Sequence, residues 1–224
     1  MSNKTSRVVD RLLSAAGFSL AFGAAMVSAP AHANFVNGDF ESGATGWTVE
    51  GYVNPDIATI PPTSFADLGL TLAPGKETFT LATGQHADTS APDNQAALLK
   101  IPFAGTASVH VNGDSVTPGY RITNSRATSI SQTITTTAAD VDPSDGRIHV
   151  RMSIAPVLTD PGHPVEAQPY FYIEVLNVTQ GTTAFTTFNY SNQPGVAWQA
   201  LGAIKYTNWQ SVDVPVTGAN VGDQ

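Results

Sequence analysis

The chain has no cysteine among its 224 residues. That excludes disulfides, thiolate nucleophiles, cysteine-ligated metals and lipid attachment at a signal-peptide junction. Charge is scarce as well: 12% of residues carry it, 10 basic against 18 acidic, for a net −8. Such a balance gives no electrostatic footprint for DNA, RNA or an anionic membrane, so no nucleic-acid partner is expected. Also missing is helical periodicity: nowhere do apolar residues recur at three-four spacing over a dozen positions, and 19 glycines and 15 prolines punctuate the chain. Beyond the first 33 residues no apolar run is long enough to span a bilayer.

Those first 33 residues read as a secretory signal peptide. Lys4, Arg7 and Arg11 form a positive start despite Asp10, and Leu12 to Ala29 carries no charge. Ala31-His32-Ala33 then supplies small-x-small cleavage chemistry, which makes Asn34 the first mature residue. Cleavage leaves 191 residues, one domain with room for a core, and moves the net charge to −10. The expected location is extracellular or the cell surface, with the periplasm as the other option.

What remains is short and β-like. Candidate strands are Asn34–Phe40, Trp47–Tyr52, Ser129–Thr136, Arg147–Ile154, Tyr170–Asn177, Thr183–Tyr190 and Trp209–Val216, with turn residues between them. Asp93 to Lys100 reads as helix on propensity alone, but its β surroundings favour a strand. Asn54 to Asp93 carries five prolines and reads as long loops with one or two weak strands. With no internal repeat and no linker, the expectation is one all-β domain over 34–224, an antiparallel β-sandwich of jelly-roll type.

Two strands alternate clearly. In RIHVRMSI, Ile148, Val150, Met152 and Ile154 share one face, and Arg147, His149, Arg151 and Ser153 the other. In YFYIEVLN, Phe171, Ile173 and Val175 oppose Tyr170, Tyr172 and Glu174. Paired as a hairpin across residues 155–169, they would merge Arg147, His149, Arg151, Tyr170, Tyr172 and Glu174 into one displayed face. Aromatic rings stack on sugars, and the charged groups bond hydroxyls, so this face is a candidate glycan platform. A solvated sheet face with an Arg–Glu pair is the plainer reading. A two-residue Gln180-Gly181 loop would bring Phe188 into the core beside Ile173; one residue more or less reverses that. Trp47 and Trp209 read as core. Trp198, in QPGVAWQALG, reads equally as a stacking residue or a loop anchor.

The stretch FVNGDFESGATGWTVEG resembles the opening of carbohydrate-binding modules of the family 4, 9 and 22 type, which have a galactose-binding-like jelly roll. The residues that carry the likeness are Asn37, Gly38, Asp39, Phe40, Glu41, Gly43, Gly46 and Trp47. In this reading Phe40 anchors the first strand, Gly43 and Gly46 allow a reversal, and Trp47 opens the return strand. SISQTITT and NWQSVDVPV followed by GANVGDQ extend the resemblance discontinuously. The resemblance implies a non-catalytic domain that recognises a polysaccharide or envelope glycan. It also implies one more strand after the Val-Gly-Asp turn, so the domain reads as truncated at Gln224, with an open sheet edge through which copies could associate. A structural Ca²⁺ is implied too, held in part by Asp39 and Glu41; as residues alone, these read equally as a capped polar turn.

No catalytic constellation is present. His86, His110, His149 and His163 lack metal-ligand spacing, and there is no Gly-x-Ser-x-Gly elbow. The expectation is therefore no enzyme. Two other functions stay open: a structural or adhesive surface protein without a sugar ligand, and an ancillary module of a polysaccharide-degrading enzyme.

Overall fold

The computed structural model describes residues 33–75, 79–83, 86–87, 100–101, 107–111 and 126–224. The expectation for 93–99 lies outside them. Among the described residues there is no α-helix, and every strand pairing is antiparallel. The all-β class read from the sequence is the observed one.

In chain order the strands are β1 (Thr48–Val53), β2 (Thr71–Leu72), β3 (Phe79–Thr83), β4 (His86–Ala87), β5 (Lys100–Ile101), β6 (Ala107–Val111) and β7 (Arg126–Ser131). They continue as β8 (His149–Ile154), β9 (Val157–Thr159), β10 (Tyr170–Asn177), β11 (Thr182–Tyr190), β12 (Gln199–Leu201), β13 (Ile204–Tyr206) and β14 (Gln210–Pro215). The ladders run β2-β1-β7, β3-β6, β4-β5, β14-β8, β10-β11 and β12-β13-β9.

The predicted first strand, Asn34–Phe40, is instead a series of turns. Asn37 is the cause. Its Nδ2 donates to Gly43 O (2.8 Å) and Thr45 O (3.1 Å), and its Oδ1 accepts the Ser42 amide (2.8 Å). A side chain that bonds its neighbours' backbone this way competes with a ladder. Phe40 therefore sits at φ 59° as a turn residue rather than a strand anchor, its ring 5.1 Å from that of Trp47. Gly43 (φ 69°) and Gly46 (φ 86°) make the reversal, as their positions imply. Trp47 is half-buried between Phe35 and Phe40, and its Nε1 donates to Asn37 O at 3.0 Å.

The expected hairpin between Arg147–Ile154 and Tyr170–Asn177 does not form. β8 pairs with β14, placing Val150 opposite Val214 and Arg151 opposite Asp213, while residues 155–169 hold β9, which pairs with β13. The distant partner satisfies both faces of β8: valines meet valines inside, and charges meet outside. Ala33, Ile148, Val150, Val214 and Val216 form one buried cluster, with Met152, Ile134 and Val175 against it.

Tyr170 to Asn177 is a strand over the residues expected, but its partner is shifted by one. Tyr172 faces Phe188 and Ile173 faces Thr187, because Ala184 is left over where the register slips after Val175. A bulge of one residue flips the following side chains to the other face. Phe188 thus joins Tyr170, Tyr172 and Tyr190 around a second cluster with Ile57 and Leu68.

The last residues are held on two sides. Thr136 donates its amide to Asp223 O (2.9 Å), and Val178 donates to Gln224 O (2.6 Å). The buried Asp223 carboxylate gathers Asn177 Nδ2, Gln180 Nε2 and the Asn220 amide at 2.7–3.0 Å.

Candidate functional site

The six residues expected on one face fall into two separate groups. Tyr170 and Tyr172 are covered: Ile57, Leu68 and Leu70 of the proline-rich stretch pack on their face, and Phe65 lies 6.5 Å from Tyr172 ring to ring. Tyr170 Oη donates to Asn54 Oδ1 at 3.0 Å. Burial pushes both phenols up to about 12. An amphipathic tyrosine reads as displayed in an alternation pattern, yet it serves equally well under a long loop. Glu174 stays at the edge of this group, accepting the Thr183 hydroxyl at 3.3 Å.

Arg151 and His149 belong to an ion network on the outer face of β8 and β14. Asp213 is its centre, with Oδ1 at 2.6 Å from His149 Nδ1 and Oδ2 at 2.8 Å from Arg151 Nε. Asp145 Oδ2 stands 3.0 Å from His149 Nε2, and Arg151 reaches the buried Asp142 at 3.0 Å. The bond to Asp213, helped by that to Asp145, raises the His149 pKa above its ordinary value. Ser144, through hydroxyl and amide, holds the Asp142 carboxyl well below the usual range, and Arg151 adds to this. Arg147 precedes the strand, exposed, its amide donating to Asp145 Oδ1 at 3.0 Å.

Beside this network Ala33 and the turns that follow it border an open groove of about 610 Å³. Asn34, Phe35, Asn37, Asp39, Glu41 and Arg151 line it. Three residues that the sequence assigned to two different sites, Arg151 to a sugar face and Asp39 with Glu41 to a metal, therefore share one cavity. Asp39 Oδ1 accepts the Glu41 amide at 3.3 Å, which fixes the turn that presents both. Among the described residues no cluster of three or more His, Asp or Glu side chains has the arrangement to hold a metal ion. Asp39 and Glu41 would bring only part of the ~6–8 oxygens that Ca²⁺ takes.

Trp198 does not line the groove; it is half-buried, with its Nε1 shielded from solvent. As site residues, Asn34, Phe35, Asp142, Asp145 and Asp213 carry no motif of their own in the sequence. The alternation of Val212, Val214 and Val216 with Ser211 and Asp213 was the available signal, since it places Asp213 outward. No protein family, curated protein or solved structure matches the chain.

Proposed function

We propose that this protein is a secreted, non-catalytic glycan-binding domain with a jelly-roll arrangement, and that its ligand lies in the groove of the opening turns. The groove carries the reading. Phe35 offers an aromatic ring, and Asn34, Asp39, Glu41 and Arg151 offer polar atoms around it. A shallow polar site with one ring wall suits a sugar, whose C–H face stacks while its hydroxyls bond. The leader-like first 33 residues and the NGDFESGATGW motif support the same reading. With 18 acidic residues against 10 basic ones, and two carboxylates at the groove, the ligand class is a neutral rather than an acidic polysaccharide.

A Ca²⁺ ion, if bound, would draw on Asp39 and Glu41 and would stiffen the turn that presents the groove. The test is a glycan array probed with residues 34–224, followed by calorimetry on the best ligand. Neutral glycans are expected to bind, and Phe35→Ala and Glu41→Ala are each expected to weaken binding at least about tenfold, a loss of ~1.4 kcal/mol. Binding that survives both substitutions overturns the groove assignment.

A further inference from the structure

Asp140 is 3% exposed, and among the described residues no Lys, Arg or His side chain pairs with it. Its Oδ2 accepts the amide and hydroxyl of Thr137 at 2.6 and 2.7 Å. Its Oδ1 instead accepts the amide of Asn34 at 3.1 Å, across 106 residues of sequence. A buried carboxylate without a cation is costly, and such groups are ordinarily paired. The backbone nitrogen that Asp140 holds is also the one that cleavage after Ala31-His32-Ala33 would release.

We propose that cleavage after Ala33 converts the Asn34 nitrogen into an α-ammonium that forms an ion pair with Asp140, so that removal of the leader supplies the missing cation. Hydrolysis of the Ala33–Asn34 peptide bond consumes one water, leaving a carboxylate on the leader and the ammonium on the domain. The neutral N–H···O⁻ bond becomes a charge-assisted N⁺–H···O⁻ bond, the stronger kind. In exchange the domain gives up the burial of Ala33 and the bond from its amide to His149 O (2.7 Å).

The surroundings favour a cation. Asp39 lines the same groove as Asn34, and the positive Arg151 there is paired with Asp142 and Asp213. His149 is flanked by Asp145 and Asp213. The pairing raises the α-amine above its ordinary ~7.7–8.0. Its stabilisation is therefore complete below that range and lost as pH rises through the raised value.

The inference rests on the leader reading, and two measurements separate them. The first is a melt of the domain beginning at Asn34, freed from a tag without extra residues, against the same chain N-acetylated. Acetylation keeps the N–H and removes the charge. The free amine is expected to melt at least about 3 °C higher near pH 6.5, and the gap to close by about pH 10.5. Asp140→Asn should abolish the gap. If that variant does not fold, NMR titration of the native α-amine decides, with a raised value expected. Equal melts, or an α-amine with its ordinary titration, overturn the pairing. The second measurement is N-terminal sequencing of the chain exported from a bacterial host, where a first residue other than Asn34 overturns the processing step.

Discussion

Asp213 stands 2.6 Å from His149 Nδ1 on the outer face of β8 and β14. Because Asp145 meets the other ring nitrogen at 3.0 Å, the imidazole lies between two carboxylates and favours its charged form. A raised folded pKa means that this contribution is present below the ordinary 6.5 and is lost as pH climbs through the raised value. The carboxyls of Asp142, Asp145 and Asp213 are lowered, so theirs is present above the ordinary 3.8 and lost in acid. Stability should therefore peak between about pH 4 and 6.5. Thermal melts across pH test this: His149→Gln should reduce the fall just above pH 6.5 and, because His149 also helps lower Asp145 and Asp213, weaken the acid side in part while the Asp142–Ser144 contribution stays.

The register of β10 and β11 yields a sharper test. Phe188, 9% exposed, packs on Ile57 and Leu68, whereas its neighbour Thr187 shares the face of Ile173. Phe188→Ala should cost about 3–5 kcal/mol in a denaturant melt. A loss below about 1 kcal/mol would place the ring outside the core, since surface changes rarely exceed that.

Two glycines separate strain from crowding. Gly46 lies at φ +86°, where an added Cβ meets Val36 Cγ1 at 3.0 Å and Gln132 Nε2 at 3.3 Å. Gly146 lies at φ +72° with nothing near. Gly146→Ala should cost only the left-handed penalty of about 1–2 kcal/mol, and Gly46→Ala clearly more. Equal losses in chemical denaturation would remove the close approach between the opening turn and Gln132.

Strand existence was legible in the sequence; strand partnership was not. Alternation set the ends of Tyr170–Asn177 and the inward face of Ile148, Val150 and Met152, because it is a local signal of period two. It carries no information on which distant strand supplies the facing residues, so β14 as the partner of β8 was invisible from β8 alone. The leftover Ala184 was hidden too, and with it the face of Phe188. Asn37 misled for another reason: it falls inside the run Asn34–Phe40 that reads as a strand, and its ties to the backbone at Gly43 and Thr45 leave no local signal. For the groove, the motif marked Asp39 and Glu41, but only the fold shows that Arg151 closes it.

The proposed glycan site is tested most directly by mapping where a bound sugar sits. In a ¹⁵N-labelled domain titrated with the best array ligand, the largest shift changes should fall on the Asn34 side-chain amide, Phe35, Asp39, Glu41 and the Arg151 side chain, with Tyr170 and Tyr172 unmoved. Changes centred on Tyr170, Tyr172 or Trp198, with the opening turns silent, would contradict the placement of the ligand in the groove.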